Sequence, residues 1–210
     1  MALIDVLPKF AYKPLTFDER PASQLVPRPT EETPAEAPVQ APVAPVTPAT
    51  PAQTKPVYLP DAYKQYEPLM AALNESSITS PEARSAVLAQ MGLERGWKAP
   101  ADFNYGNITT GSSWKGASNQ RGDSDAAGKP IQQQFRSYGS AKEFVDDYLG
   151  LLKRQYPKAY SQLSSDKFDV DAFTEGLVGG QYKYATDPTY KSKVKGVYNS
   201  VLQKFSETNK

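Results

Sequence analysis

The sequence predicts a mainly α domain of the α+β class, in which helices surround a small β-hairpin lobe behind an extended proline-rich N-terminal arm. Three observations lead to this class. After residue 60, helix start and stop signals flank segments whose apolar residues recur at helical spacing. Between about residues 103 and 138, five glycines break the chain into short runs. Eleven of the 19 prolines fall between residues 21 and 60.

Residues 1–20 and 21–60 form the N-terminal arm. The first segment mixes apolar side chains with prolines and is too short to fold alone. It is either a disordered tail or an extended docking peptide, since a solvated tail has little use for so many apolar side chains. In residues 21–60, repeated Pro-Ala, Pro-Val and Pro-Thr steps favour polyproline II. At ~3.1 Å per residue, this linker can hold a domain on the order of 100 Å from its anchor.

Residues 61–210 are predicted to form one folded domain. Ser80 followed by Pro81 is a typical helix start, and Ser140-Ala-Lys-Glu143 is a capping box. Helices are expected from Pro68 to Leu73, from Pro81 to about Gly96, from Ser140 to before Pro157, from about Val170 to Val178, and from Asp187-Pro188 to about Phe205. The run from Ile131 to Tyr138 is the expected strand of the hairpin lobe.

The chain contains no Cys and no His. This composition excludes disulfides, a Cys–His nucleophile pair and a Ser–His–Asp triad. A catalytic zinc site normally needs one of the two missing residue types. Carboxylate, tyrosine and lysine chemistry remain, and a pair of acidic residues acting on a glycosidic bond fits that restriction. We therefore expect neither a metal nor a cofactor.

Charge and hydropathy limit the partners. A formal net charge of +1 gives no basic footprint for nucleic acid. No stretch approaches the ~20 apolar residues of a membrane span. The N-terminal residues lack the uninterrupted apolar core of a secretory signal. We expect no nucleic-acid partner, no membrane insertion and no signal peptide.

Glu94 stands out by its position in its predicted helix. It lies seven residues after Val87 and three after Met91, which places it within about 20° of Val87 around the helix axis, on the apolar stripe. Charged side chains are rarely buried without a reason, and desolvation raises a carboxyl pKa, as a general acid near neutral pH requires. The alternative is a carboxylate at the edge of the stripe that reaches solvent or pairs with Arg95 or Lys98.

Five blocks of sequence occur in an order typical of one enzyme family. They are Ala89-Gln-Met-Gly-Leu-Glu94-Arg-Gly-Trp97, Phe103-Asn-Tyr-Gly-Asn-Ile108, Gly111-Ser-Ser-Trp-Lys-Gly116, Phe135-Arg-Ser-Tyr-Gly-Ser140 and Tyr184-Ala-Thr-Asp-Pro-Thr-Tyr190. Together they resemble the flagellar-type N-acetylglucosaminidases of glycoside hydrolase family 73, over about residues 80–202. The resemblance implies a lysozyme-like fold that cleaves β-1,4 bonds of bacterial peptidoglycan, as an N-acetylglucosaminidase or a muramidase.

The resemblance also implies residue roles. Glu94 falls on the family's catalytic acid, whose proton goes to the glycosidic oxygen. Tyr184 falls on a tyrosine near the acid, which would orient the N-acetyl group or stabilise developing charge; the alternative is a core aromatic. The candidate substrate-binding positions, where plain packing is the alternative for the aromatic rings, are Trp97, Asn104, Tyr105, Trp114 and Tyr138.

A second carboxylate is expected on the hairpin, where the family commonly has Glu in a Thr-Glu pair. Asp123 is the first choice and Asp125 the alternative, with a substrate-binding role for Asp125 and a solvated turn as the plain explanation. Far from Glu94, Asp123 would activate water and invert configuration. Close to it, Asp123 would be a nucleophile, and the substrate's own acetamide is a third possibility.

Location is inferred from the arm. A wall hydrolase without a signal peptide has to be carried by a machine or released by lysis, and an apolar peptide on a long tether suits a bacteriophage virion. We expect residues 1–20 to bind phage tail, baseplate or other virion proteins, and the enzyme to open the host wall locally for DNA entry. The alternatives are a catalytically degenerate glycan-binding or structural virion protein, and a free endolysin.

Overall fold

The computed structural model describes residues 59–111, 114–124, 129–185 and 187–208, with only the main chain of residue 124. The predictions for residues 1–20 and for most of 21–60 lie outside these residues. The described elements are a 3-10 helix at Asp61–Tyr66, α1 at Glu67–Asn74, α2 at Pro81–Arg95, β1 at Ser118–Ser124, β2 at Pro130–Arg136, α3 at Ala141–Gln155, α4 at Pro157–Leu163, α5 at Val170–Val178 and α6 at Tyr190–Thr208. The fold is mainly helical with one antiparallel hairpin, as the sequence predicts.

α2 is the central helix of the fold. The Ser80 side chain accepts a hydrogen bond from the Ala83 amide at 3.2 Å and caps its start. Gly96, at a φ of 55°, ends it with the paired turn hydrogen bonds of a Schellman motif. Ten of its fifteen residues are buried, including polar ones, so α2 is enclosed on most sides rather than amphipathic. Its most extensive contact is with α6.

The hairpin joins residues that have little intrinsic strand preference. β1 pairs antiparallel with β2, so that Ser118 lies opposite Arg136 and Asp123 opposite Ile131. Thr109 forms a bridge to Phe135 on the other edge of β2, which ties the preceding loop to the hairpin. The expected strand from Ile131 to Tyr138 is therefore shifted by one to two residues.

Two helices were absent from the sequence prediction. The sequence predicts Pro157 only as the end of α3, but it occupies the first turn of a new helix, α4, which tolerates proline because an amide there needs no partner. α4 packs closely on α5, where a Cβ at Gly176 would come within 2.4 Å of the Ala159 amide nitrogen. The 3-10 helix before α1 was also missed. In the described part of the chain, no helix has the length and apolar character needed to cross a bilayer.

Candidate active site

Glu94 lies in the last turn of α2, with 8% of its surface exposed. Its Oε1 accepts a hydrogen bond from the Tyr190 hydroxyl of α6 at 2.7 Å. The main-chain oxygen of Glu94 accepts a second bond, from the side-chain amide of Asn107 at 2.7 Å. The burial expected from helical spacing is thus observed, and both the carboxyl group and the helix end that carries it are fixed by long-range contacts.

Hydrogen bonding continues from Tyr190 into the core. Gln90 Nε2 donates to the Tyr190 hydroxyl at 3.1 Å, and the Tyr148 hydroxyl donates to Gln90 Oε1 at 2.6 Å. Burial raises the pKa of Tyr148 well above its usual value, and the nearby Glu94 charge raises it further. Tyr148 is therefore protonated at neutral pH and can act as a hydrogen-bond donor there.

Two arginines, one at the end of α2 and one on β1, bind the loop between these two elements. Arg95 Nη1 donates to Asn107 Oδ1 at 2.5 Å. Burial lowers the pKa of Arg95, and the Arg121 charge lowers it further, whereas Asp102 opposes the shift. Arg121 on β1 forms an ion pair with Asp102. The Arg121 charge is thus paired with Asp102, and it lies close enough to Arg95 to act on the pKa of that side chain.

Asp123 lies on the same face of the hairpin as Arg121. Residues two apart in a strand share a face, so Asp123 projects to the same side as Arg121. Arg121 lies over the Phe135 ring at 4.9 Å, and Arg121 and Asp123 are partly buried whereas the intervening Gly122 is exposed. This alternation makes Asp123 an inward-facing carboxylate rather than a turn residue in solvent. Asp125 lies outside the described residues.

Tyr184 lies beside Tyr190 in the core. Its hydroxyl donates to the Gly106 main-chain oxygen at 3.3 Å, and its ring packs against Tyr190 at 6.1 Å and Tyr156 at 5.7 Å. It is the Tyr190 hydroxyl that donates to Glu94, a role that the sequence analysis does not give to Tyr190. The block that ends at Tyr190 contained the signal, because it carries two tyrosines six residues apart.

The two tryptophans occupy different environments. Trp97 stacks on Tyr63 with ring centroids 4.5 Å apart and folds over Gly92, where a Cβ would approach the indole to 2.5 Å. These contacts correspond to plain packing, which the sequence analysis gives as the alternative to substrate binding for Trp97. Trp114 packs edge-on against Tyr138 at 5.6 Å, and the Tyr138 hydroxyl donates to an Asp147 carboxyl oxygen at 2.8 Å.

Trp114 and Tyr138 line a groove of about 490 Å³. Its wall also includes three acidic residues at the start of α3, which are Glu143, Asp146 and Asp147. Glu94 is not part of this wall as far as the described residues define it. The structure thus brings Trp114 and Tyr138 together, but in a groove other than the immediate surroundings of Glu94.

Asn104 and Tyr105 lie in the core. Asn104 is fully buried, and its amide bonds the main chain of Ile108 and Arg136, so it fastens the loop to β2. Tyr105 is 1% exposed and packs between Tyr66 and Phe144. Both differ from the expectation of substrate contact, since neither side chain reaches the surface. Their matched block therefore supports the fold through buried contacts.

The described residues contain no group of three His, Cys, Asp or Glu side chains arranged to hold a metal. They do contain a buried carboxyl group at the end of α2 with one oxygen hydrogen-bonded to a tyrosine, and a partly buried carboxylate, Asp123, on the hairpin. A buried carboxyl group of this kind can deliver a proton to a leaving oxygen.

Comparison with known proteins points to one family. The profile described as mannosyl-glycoprotein endo-beta-N-acetylglucosaminidase, the glucosaminidase family, matches residues 70–203. The peptidoglycan hydrolase FlgJ of Escherichia coli (strain K12) is 27% identical over 136 residues, 58% of this chain and 42% of that protein. FlgJ of Pseudomonas aeruginosa is 31% identical over 119 residues, 51% of this chain and 29% of that protein. The chain therefore spans less than half the length of these curated relatives.

Solved structures match the same region. A peptidoglycan hydrolase from Sphingomonas sp. A1 superposes with a TM-score of 0.54 and 28% identity, over 70% of this chain and 93% of that chain. The glycoside hydrolase domain of Salmonella typhimurium FlgJ gives 0.52 and 25%, over 70% and 92%. These similarities confirm the expected lysozyme-like fold class.

Proposed function

The chain belongs to the glucosaminidase family, and from this premise we propose that it hydrolyses β-1,4 glycosidic bonds in the glycan strands of bacterial peptidoglycan. The observation that carries the proposal is the buried carboxyl group of Glu94, held against Tyr190 at the end of the central helix. Peptidoglycan is supported as the substrate by the names of the matched relatives, which are peptidoglycan hydrolases.

Glu94 is the proposed general acid. A carboxyl group removed from water resists ionisation, and a protonated carboxyl beside the scissile bond can protonate the leaving oxygen as the bond breaks. The transition state then carries positive charge on the sugar ring. N-acetylglucosaminidase activity is favoured over muramidase activity by the family assignment.

Asp123 is the proposed second carboxylate, because it shares a strand face with Arg121, whose charge acts on Arg95 at the end of α2. It either activates a water molecule, with inversion, or attacks the sugar, with retention. The anomer formed first, observed by proton NMR of a soluble oligosaccharide digest, distinguishes these two roles. Retention that persists in Asp123→Asn would instead favour assistance by the substrate's acetamide.

The test of function uses the full chain on purified cell-wall suspensions. Wild-type protein is expected to lower turbidity and to release new reducing ends, whereas Glu94→Gln is expected to lose roughly 10²- to 10⁴-fold in rate with an unchanged unfolding midpoint. Glu82→Gln, the same substitution at the exposed start of α2, is the matched control. Mass spectrometry of the released ends identifies N-acetylglucosamine or N-acetylmuramic acid.

Two results would contradict the proposal. Full hydrolysis by Glu94→Gln would remove the acid mechanism. Sedimentation of the wild-type chain with cell walls, without any released reducing ends, would identify a glycan-binding protein that has lost catalysis.

We also propose that the enzyme is a bacteriophage virion component that acts in the host wall. Support comes from composition, since residues 1–20 are rich in apolar side chains and residues 21–60 form a proline-rich tether. Deleting residues 1–20 is expected to leave hydrolysis intact and to abolish incorporation into phage particles, measured by mass spectrometry of purified particles. Undiminished incorporation would contradict the docking role, and absence of the wild-type chain from particles would favour a free endolysin.

A further inference from the structure

Glu94 is the last member of a hydrogen-bond chain that begins in the core. The chain runs from the Tyr148 hydroxyl to Gln90 Oε1 at 2.6 Å, from Gln90 Nε2 to the Tyr190 hydroxyl at 3.1 Å, and from that hydroxyl to Glu94 Oε1 at 2.7 Å. Its members come from α2, α3 and α6, and each is at least nine-tenths buried. We call these four residues the acid relay.

The direction of the relay follows from the chemistry of Gln90. Its NH₂ group only donates and its carbonyl oxygen only accepts. The 2.6 Å contact has the length of an O–H···O bond and the 3.1 Å contact that of an N–H···O bond, which agrees with this amide orientation. Because Tyr190 accepts from Gln90, the single hydroxyl hydrogen of Tyr190 is directed to Glu94.

We propose that Gln90 and Tyr148 are positioning residues, which hold Tyr190 as a donor to Oε1 of Glu94 and so direct the transferable proton to Oε2. This inference rests on the proposed role of Glu94 as general acid. A hydrogen already pointing at Oε1 disfavours protonation of that oxygen, so the acid is ready to donate from one defined atom. A general acid that is fixed in this way needs no reorientation during bond cleavage.

Tyr148 is necessary because it decides which way Gln90 faces. Without the Tyr148 hydroxyl, the Gln90 carbonyl has no donor at its inner end and can turn toward Tyr190. Tyr190 would then donate to Gln90 instead of to Glu94. Loss of a donor to the ionised carboxylate makes ionisation harder, so the pKa of Glu94 should rise.

The remaining charged and titratable groups around Glu94 are the same in every variant of the test. They include Arg95, the next residue on α2, and Tyr184, whose ring packs against Tyr190. Arg121, whose charge acts on Arg95, and Asp123, two residues further along β1, also stay the same. None of them is a member of the relay, so a shift that follows the relay substitutions reports on the relay itself.

The experiment measures Glu94 directly in the full chain, by carbon-detected NMR titration of its carboxyl group, together with the basic limb of the pH dependence of kcat/KM. Tyr148→Phe should move both upward by about one pH unit, since a hydrogen bond to a charged group has that order of strength. Tyr190→Phe, which removes the last bond, should shift them at least as far. In the Tyr190→Phe background, Tyr148→Phe should add nothing, because its effect acts through Tyr190.

Tyr66→Phe is the matched control. It removes an equally buried hydroxyl, bonded to main-chain oxygens of Met91 and Lys98, and should leave the Glu94 titration unchanged. The proposed role of the relay would be wrong if the Glu94 pKa is unchanged in Tyr148→Phe. It would also be wrong if Tyr148→Phe raises this pKa by the same amount when Tyr190 is already replaced by Phe. The NMR titration needs no turnover, so an inactive wild-type chain would refute the proposed function without deciding this test.

Discussion

The two carboxylates proposed for catalysis lie in opposite kinds of structure. Glu94 belongs to a helix enclosed by the core, and its side chain is bonded to a residue 96 positions away. Asp123 belongs to a two-stranded hairpin whose outer face is exposed and polar. The first position is determined by packing from several helices, and the second by one strand pair and a few polar contacts.

This difference indicates where the site can change. Displacing Glu94 requires repacking of α2 against α6, whereas the hairpin can change its acidic residue with few other adjustments. The departure of this chain from the common family pattern does fall on the hairpin, where Asp123 stands in a Gly- and Ser-rich stretch. The helical side therefore fixes the position of Glu94, whereas the position proposed for the second carboxylate on the hairpin is easier to change.

The largest contrast is expected in stability. Leu88→Ala, at a fully buried position of α2, should lower the free energy of unfolding by about 3 kcal/mol through lost burial and a cavity. Gln132→Ala, on the exposed face of β2, should change it by less than about 0.5 kcal/mol. Urea denaturation measures both. Equal losses would mean that the hairpin is as integral to the core as α2 is.

The next effect is on activity. Asp123→Asn should lower kcat/KM about 100-fold, which corresponds to roughly 2.7 kcal/mol of transition-state stabilisation, with little change in the unfolding midpoint. Asp125→Asn, at the alternative position, should give the smaller loss. If Asp125→Asn gives the larger loss of activity in a wall-clearing assay, the second carboxylate is Asp125 and not Asp123 on β1.

The same contrast explains what the sequence could predict. The start and end of α2 depend on Ser80, Pro81 and Gly96, which act within one helical turn, and the burial of Glu94 follows from spacing within the same helix. Such local signals are readable in one sequence. β1, by contrast, has almost no strand-forming side chains, and its strand character comes from pairing with β2.

Contacts between distant segments were not readable. The bond from Tyr190 to Glu94 exists because α6 packs along α2, which periodicity alone does not specify. For the same reason Asn104 and Tyr105 are buried, although substrate contact is expected for both. A matched block locates a loop in the sequence, but it does not indicate which of its side chains turn inward. The matched blocks do contain Asn107 and Tyr190, which contact Glu94, but the resemblance does not indicate which side chains of these blocks are buried.

A smaller effect is expected where the two regions meet. Arg121→Met should cost about 1 kcal/mol in unfolding free energy, because Asp102, only 12% exposed, loses its ion-pair partner. Lys142→Met breaks a pair whose members are 63% and 59% exposed, and should cost no more than a few tenths of a kcal/mol. Equal costs in thermal melts would mean that the hairpin is not held to the helical side by this pair.

The smallest effect concerns the start of α6, which carries Tyr190. Bonds from Lys193 and Thr189 lower the pKa of Asp187 to about 2, from 3.8. Because the folded-state pKa is depressed, this carboxylate stabilises the fold above pH ~4, and the contribution disappears as pH falls from about 4 to about 2.

Asp187→Asn tests whether this acid sensitivity belongs to the helical side. It should cost a few tenths of a kcal/mol near pH 7, since the Asp187 side chain is 39% exposed and screened, and nothing near pH 2. Unfolding free energies at both pH values, compared with Asp146→Asn at an exposed position of α3, measure the difference. An equal loss of unfolding free energy at both pH values would show that Asp187 stabilises the fold through hydrogen bonds that do not depend on its charge. The acid sensitivity of the helical side would then come from other carboxylates.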